Sequence, residues 1–293
     1  MMNDKSCLIL LDVGGTYIKS ALGEPHAGVI KGTFASTAVS SGGSKEDIAN
    51  AFKEVVAGQL IQAEENGFKV NDICVAIPGP FDYKEGRFLM KHKYASVYGH
   101  TLRELLGDTI NTNMRLAFIH DVNGALLGAL ASDPELSKEV VALTTLGTGL
   151  GFTYAVNGEI KESATGSPAR SLWNQPYKDG ILEDYVSRRG IINTYRSLGG
   201  FLGENDDVKE ISDRARSGEQ TAQEAFKTTG MHYATGARQI IEELRITKLL
   251  FGGQIAKSFD LMQETIEAGL GDSVQVSILN DIQETVLIGT ASL

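Results

Sequence analysis

Two well-separated stretches of the chain, residues 8–22 and residues 140–156, share one pattern that strongly limits the fold. In each, an apolar extended run leads into a turn of glycine and threonine, and a second extended run follows. Runs of this kind joined by a glycine turn predict antiparallel hairpins. Alternating helix and strand patterns follow both hairpins, and 293 residues are enough for two cores. The sequence therefore predicts an α/β protein of two related lobes that face a cleft.

The predicted N-terminal lobe comprises residues 1–119 plus 280–293, and the C-terminal lobe comprises residues 120–279. Further strands are expected at 29–36, 72–77, 115–119, 248–251 and 274–279. Helices are expected to open at Ser44 and Thr101, each with an acidic residue three positions later. The remaining helices are expected at 122–130, 182–198, 208–217, 221–244 and from about 284.

Composition excludes several classes of protein. A formal net charge of -10 argues against nucleic acid as a partner, because binding to its backbone requires a basic surface. No run approaches the ~20 apolar residues that a spanning helix needs, and the first residues do not form a signal peptide. We therefore expect a cytoplasmic protein without a membrane partner, with a homodimer as the default assembly. Cys7 and Cys74 lie in apolar runs and are expected in the core.

The glycine turns can bind phosphate. Without side chains, Gly14 and Gly15 allow a phosphate to approach outward-pointing N–H groups, although a plain hairpin turn explains one such motif equally well. The second turn, Gly147-Thr148-Gly149, and the pair Gly252-Gly253 after a strand favour phosphate and nucleotide binding.

Two aspartates at strand ends complete this chemistry. Asp12 precedes the first turn, where its carboxylate can bind Mg²⁺ or cap the turn. Asp121 follows one strand and precedes a helix, so it is either a helix N-cap or a general base that takes the proton of a hydroxyl attacking a γ-phosphate.

Taken together, the motifs resemble the successive signatures of the ROK family (repressors, open reading frames and kinases). They are Leu11 to Lys19, Ile77-Pro78-Gly79-Pro80, His120-Asp121-Val122-Asn123, Leu146 to Gly151 and Phe251-Gly252-Gly253. The resemblance implies two actin/hexokinase-like (ribonuclease H-like) lobes with a nucleotide and sugar cleft between them, ATP with Mg²⁺, and phosphorylation of a sugar hydroxyl by way of Asp121. The nucleotide contacts that we expect on this basis are Gly14, Gly15, Thr16, Lys19, Gly147, Thr148, Gly149, Gly252, Gly253 and Gln254.

The acceptor half departs from the family pattern. Family kinases usually carry a Glu-x-Gly-His element followed by a cysteine-rich zinc loop, and here those Glu and His positions fall near Arg170 and Trp173. No structural zinc is expected. Trp173 could stack on a sugar or belong to the core, and Glu183 could hold a sugar hydroxyl or favour a helix start. The full set of expected sugar contacts is Gly79, His92, Lys93, Asn123, Arg170, Trp173 and Glu183.

Two alternatives limit these expectations. The default interpretation of His92 and Lys93 is an ordinary charged surface loop, and contact with an unusual or anionic sugar is the alternative. A non-catalytic sugar- or nucleotide-binding regulator is the competing function, although the first strand begins by about residue 7, which leaves no room for a DNA-binding extension. His26, His100 and His232 show no ligand-like spacing and are expected to be surface or core residues.

Overall fold

The computed structural model describes residues 5–25 and 27–293; His26 and the first four residues of the predicted N-terminal lobe lie outside it. The described chain divides into two compact units. The first runs to Ser132 and adds Glu162–Ala169 and Gln283–Leu293, and the second comprises Asp133–Lys161 and Arg170–Ile282. The predicted lobe boundaries at residues 119 and 280 stay a prediction. The division into compact units places residues 120–132 and 162–169 in the first unit.

Strands and helices alternate in both units. The strands are β1 (Lys5–Val13), β2 (Tyr17–Glu24), β3 (Gly28–Val29), β4 (Ala35–Ala38), β5 (Phe68–Ile77), β6 (Phe81–Asp82), β7 (Arg87–Phe88), β8 (Arg115–His120), β9 (Val140–Leu146), β10 (Leu150–Val156), β11 (Glu159–Ile160), β12 (Pro176–Tyr177), β13 (Gly180–Ile181), β14 (Lys248–Gly252) and β15 (Gln275–Ile278). The α-helices are α1 (Lys45–Glu65), α2 (Leu102–Leu106), α3 (Asp121–Ser132), α4 (Glu183–Val186), α5 (Arg188–Ser197), α6 (Val208–Arg216), α7 (Gln220–Leu244), α8 (Gln263–Leu270) and α9 (Ile282–Thr290).

The main sheets of the two units share one topology. In the first unit the order is β3-β2-β1-β5-β8, with β4 also on β2, and in the second it is β11-β10-β9-β14-β15. Each sheet begins with the predicted antiparallel hairpin, β1 with β2 or β9 with β10. Two parallel strands then extend it, β5 and β8 or β14 and β15. The predicted repetition of the two halves is therefore present in the fold.

Helix α1 shows how the sequence specifies these layers. Ser44 and Asp47 form the predicted capping box, which satisfies N–H groups that the first turn leaves unpaired. Apolar residues such as Phe52 and Val56 recur at helical spacing and are fully buried in the core of the first unit. The helix therefore covers the sheet that carries the first glycine turn.

Helix α3, which begins at Asp121, is fixed by close contact with α9. A β-carbon on Gly128 would lie 1.9 Å from the carbonyl oxygen of Thr285, and one on Gly289 would lie 1.9 Å from that of Gly124. Only glycine allows backbones to approach this closely. The last helix of the chain thus holds the helix that opens with the predicted catalytic base.

Some elements differ from the prediction. The strand expected at 29–36 is two short strands, β3 and β4, separated by a turn that contains Gly32 with φ +82. The helix expected at 182–198 is broken at Ser187, whose backbone is extended, into α4 and α5. Cys7 and Cys74 are buried, as expected. Within residues 5–25 and 27–293, no helix is long and apolar enough to cross a membrane.

Candidate active site

The first glycine turn joins β1 to β2, and its carbonyl groups are held by the protein. The hydroxyl of Tyr94 donates to the oxygen of Gly14 at 2.5 Å, and the N–H of Ser41 donates to the oxygen of Gly15 at 3.1 Å. The oxygen of Thr16 accepts the N–H of Val39 at 2.8 Å. Across the described ranges, the N–H groups of Gly15 and Thr16 have no protein acceptor. This is the arrangement that an anion-binding turn requires.

Asp12 and Lys19 face each other across the same hairpin. They are directly opposite in the ladder, and the Lys19 ammonium lies 3.2 Å from Oδ2 of Asp12. Burial, together with the charge of Asp121, raises the pKa of the Asp12 carboxyl, and Lys19 only partly offsets this. A part-buried carboxylate with few neutralising partners is a suitable ligand for a hard cation, so Asp12 fits Mg²⁺. Lys19 pairs with this carboxylate, and its contact with the nucleotide stays a prediction.

Asp121 is the first residue of α3 and is held by two contacts. Its Oδ1 lies 2.8 Å from Nδ1 of His120 and accepts the N–H of Val122 at 2.8 Å. Burial opposes ionisation of this carboxyl, but His120, the Val122 N–H and the charge of Lys93 outweigh it, so the pKa of Asp121 is lowered. The side chain keeps 34% of its surface exposed, so Asp121 is an accessible carboxylate at neutral pH.

The hydrogen-bond network assigns the tautomer of His120. The Val122 N–H lies 3.3 Å from Nδ1 but only 2.8 Å from the Asp121 carboxylate, so it bonds to the carboxylate. Nδ1 of His120 then carries a hydrogen and donates it to Oδ1 of Asp121. The other ring nitrogen, Nε2, points towards Gly79, where an added β-carbon would be 3.5 Å away. His120 was missed as a functional residue, although its place beside Asp121 at the end of β8 was a usable signal.

Lys93 connects these groups to the first glycine turn. A β-carbon on Gly15 would lie 3.6 Å from Cδ of Lys93, and the Lys93 charge acts on Asp121. The structure thus brings together Asp12, Lys93 and Asp121 around the turn. His92, the neighbour of Lys93, is exposed to solvent.

Asn123, predicted as a sugar contact, is fully buried and holds a loop. Its Nδ2 donates to Oε1 of Glu162 at 2.9 Å and lies 3.4 Å from the carbonyl oxygen of Gly166. Glu162 was not among the predicted site residues. Thirty-nine positions separate it from Asn123, and no local pattern connects the two.

In the second unit, the other two glycine motifs lie side by side. Gly252 of β14 is paired with Thr145 of β9. Gly253 has φ +94, and a β-carbon there would lie 2.3 Å from the oxygen of Leu146, so this position requires glycine. The N–H of Arg188 donates to the oxygen of Gly147 at 2.9 Å. Thr148 and Gln254 are exposed beside these glycines.

Glu183 belongs to this second glycine cluster. Its Oε2 accepts the N–H of Leu150 at 2.9 Å, and a β-carbon on Gly149 would lie 2.8 Å from the same oxygen. Both interpretations of its sequence position, as a sugar contact and as the first residue of a helix, stay open, since α4 does begin at Glu183.

The other two predicted sugar contacts of this unit lie at its surface. Arg170 pairs with Glu243 at 2.8 Å between exposed side chains. Trp173 is 48% exposed, which excludes the alternative that it is a core residue.

The described residues contain no large cluster of side chains that could bind a metal ion. Among residues 5–25 and 27–293, no cluster of three or more His, Cys, Asp or Glu side chains could hold a metal ion. Mg²⁺ does not require one, because it is bound by one or two carboxylates together with phosphates and water.

Two α/β units of one topology, each with a strand hairpin that ends in a glycine turn, define the actin-like (ribonuclease H-like) fold class. Within that class, the chain belongs to the ROK family, whose model matches residues 8–286. The fold class implied by the sequence is thereby confirmed.

Solved structures resemble the chain over nearly its whole length. A ROK family glucokinase from Streptomyces griseus, in complex with glucose and AMPPNP, is 20% identical with a TM-score of 0.76, and 98% of each chain is covered. A ROK family protein from Streptococcus pneumoniae TIGR4, in complex with sucrose, is 18% identical with a TM-score of 0.76, covering 98% of this chain and 96% of that one. A ROK family transcriptional regulator, a homolog of the E. coli MLC protein, is 15% identical with a TM-score of 0.79, covering 98% of this chain and 77% of that one.

Proposed function

We propose that this protein is an ATP-dependent sugar kinase with Asp121 as its general base. The observation that carries the proposal is the state of Asp121: an accessible carboxylate, kept ionised by His120, the Val122 N–H and Lys93, in the same unit as the first glycine turn. Further support comes from membership of the ROK family and from the glucokinase of Streptomyces griseus that holds glucose and AMPPNP.

The reaction assigns one role to each group. Asp121 accepts the proton of the acceptor hydroxyl as its oxygen attacks the γ-phosphorus, and the bond from that phosphorus to the β-phosphate oxygen breaks to release ADP. The N–H groups of Gly15 and Thr16 bind phosphate oxygens, and Lys93 neutralises charge near the reacting groups. Asp12 is the residue that would hold Mg²⁺, which neutralises phosphate charge when bound.

In the second unit, the segments around Gly147–Gly149 and Gly252–Gln254 contact the nucleotide. This role fits backbone that only glycine can adopt, as at Gly253. The acceptor is a hexose, hexosamine or glycoside, and its hydroxyl lies against Asp121.

The test is ADP release from ATP–Mg²⁺ in the presence of hexoses, hexosamines and glycosides. At least one acceptor should raise ADP release above background, and Asp121→Asn should lower kcat about 10²- to 10⁴-fold, as expected for the loss of a general base. Asp108→Asn, an exposed aspartate of the same unit, serves as the matched control and should keep wild-type activity.

A second function, a non-catalytic sugar-responsive regulator, is favoured only by the likeness to a ROK transcriptional regulator. Sugar binding without ADP release from any acceptor would reject the kinase in favour of that function. An Asp121→Asn variant as active as wild type would reject Asp121 as the general base.

A further inference from the structure

A cavity of about 510 Å³ opens in the first unit, between the β6–β7 hairpin and the loop Glu162–Ala169. We call it the hairpin cavity. Its volume lies within the roughly 300–1,000 Å³ that small-molecule sites occupy. The residues on which the argument depends are Phe81, Tyr83, Lys84, Phe118, Glu162 and Thr165.

The walls of the hairpin cavity combine aromatic and polar surfaces. Phe81 and Phe118 lie with ring centroids 5.3 Å apart, and Phe118 is half-buried. The exposed side chains of Lys84, Glu162 and Thr165 surround them with an ammonium, a carboxylate and a hydroxyl group. Aromatic surface with a few polar groups is suited to a sugar ring, which has apolar C–H faces and hydroxyl edges.

Close packing fixes both walls of the hairpin cavity. Gly86 has φ +68, and a β-carbon there would lie 2.5 Å from the ring of Phe118. Gly166 has φ +80, and a β-carbon there would lie 3.0 Å from Cβ of Tyr83. The buried amide of Asn123 holds Glu162 at 2.9 Å, which uses one of about four acceptor positions of that carboxylate.

The same residues connect the hairpin cavity to Asp121. Asn123 is two positions beyond Asp121 on α3, and the rings of Tyr83 and His120 are 5.8 Å apart. Burial raises the pKa of the Tyr83 hydroxyl, and the nearby charges of Asp121 and Glu162 add to the effect. Tyr83 and Asn123 therefore each contact both a residue of the hairpin cavity and the segment that carries Asp121.

We infer that the hairpin cavity binds the second sugar ring of a glycoside whose first ring presents its hydroxyl to Asp121. Glu162 and Thr165 hydrogen-bond to hydroxyl groups of the second ring, and Phe118 packs on its apolar face. The inference rests on the proposed function, because it places the reacting ring at Asp121. It narrows the acceptor from sugars in general to disaccharides and larger glycosides.

Calorimetric titration tests this without requiring turnover. The wild-type protein is titrated with hexoses, with disaccharides that contain each hexose, and with the phenyl glycosides of those hexoses. Thr165→Trp fills the cavity from its exposed loop, and Thr112→Trp, an exposed threonine in another turn of the same unit, is the matched control.

At least one disaccharide should bind tenfold or more tightly than its hexose. Thr165→Trp should abolish that gain and leave hexose binding unchanged, and Thr112→Trp should preserve it. Equal affinity for disaccharides and hexoses, a gain that persists in Thr165→Trp, or no sugar binding at all would overturn the inference. Tighter binding of phenyl glycosides than of disaccharides would overturn the assignment to a sugar ring.

Failure of the kinase proposal is a separate outcome. A disaccharide that binds through the cavity but never releases ADP rejects the kinase and leaves the cavity assignment intact. If hexoses and disaccharides are both phosphorylated and bind with equal affinity, the kinase is supported and the cavity assignment is rejected.

Discussion

Acidification should destabilise the second unit through His232. This residue of α7 is 7% exposed and packs against the β12–β13 hairpin, with Nδ1 2.9 Å from the Tyr177 hydroxyl. Nε2 lies 3.5 Å from the Lys178 ammonium, which can donate only to an unprotonated nitrogen. Burial lowers the pKa of His232 from its usual 6.5 to about 4, and the charge of Lys178 adds to the effect. The folded protein therefore holds His232 neutral.

The size and direction of the effect follow from this pKa. Between pH 6.5 and about 4, the unfolded chain binds a proton that the folded chain does not, so the stabilisation is complete above pH 6.5 and is lost as the pH falls. Each pKa unit corresponds to about 1.4 kcal/mol, so the full loss is about 3 kcal/mol. Helix α4 begins at Glu183, two residues after the end of β13. Glu183 contacts Gly149, so the glycine turn at Gly147–Gly149 lies next to the affected hairpin.

Urea unfolding followed by tryptophan fluorescence can measure this loss, because Trp173, the single tryptophan of the sequence, belongs to the second unit. Between pH 7.5 and 4.5, the free energy of unfolding should fall less in His232→Gln than in wild type, by about 2 to 3 kcal/mol. His92→Gln, which removes an exposed histidine, is the control. A His232 ring signal that titrates near pH 6.5 in NMR, or identical pH dependence in wild type and His232→Gln, would refute the reasoning.

Two further predictions concern the glycine turns and the base. Gly253→Ala should lower the free energy of unfolding by about 2 to 4 kcal/mol, because a side chain at φ +94 meets the carbonyl of Leu146; chemical denaturation measures it. Gly147→Ala should fold like wild type, since nothing lies within 4 Å of its added β-carbon, and equal losses in both variants would contradict this. His120→Phe removes a donor to a charged acceptor, worth about 1.5 to 3 kcal/mol, so kcat for ADP release should fall about 10- to 100-fold with little change in KM. Wild-type kcat in His120→Phe would show that His120 does not support Asp121.

Features with a local cause could be predicted from the sequence. The hairpins at residues 8–22 and 140–156 follow from alternating apolar runs and a glycine turn, and the structure has both. The capping box of Ser44 and Asp47 is equally local. The break at Ser187 was not predictable in this way, because apolar residues at helical spacing lie on both sides of it and only the extended backbone of one residue interrupts the helix.

The two halves of the candidate site differ in the same respect. The proposed phosphate binding by backbone N–H groups depends on glycines that are contiguous in sequence, such as Gly14 and Gly15, so the sequence alone suggests it. The proposed acceptor binding depends on side chains that only the tertiary fold brings together, such as Asn123 with Glu162 and Tyr83 with His120.

The departure from the family pattern at Arg170 and Trp173 therefore does not imply that acceptor chemistry is lost. Both side chains are exposed in the second unit, and Arg170 pairs with Glu243. Polar groups that can contact an acceptor are present instead around Asp121, where Asn123 fixes the carboxylate of Glu162 and His120 fixes that of Asp121. Because Glu162 is fixed by a buried donor, whereas Arg170 and Trp173 are exposed, we expect acceptor specificity to change more on substitution of Glu162 than on substitution of Arg170 or Trp173.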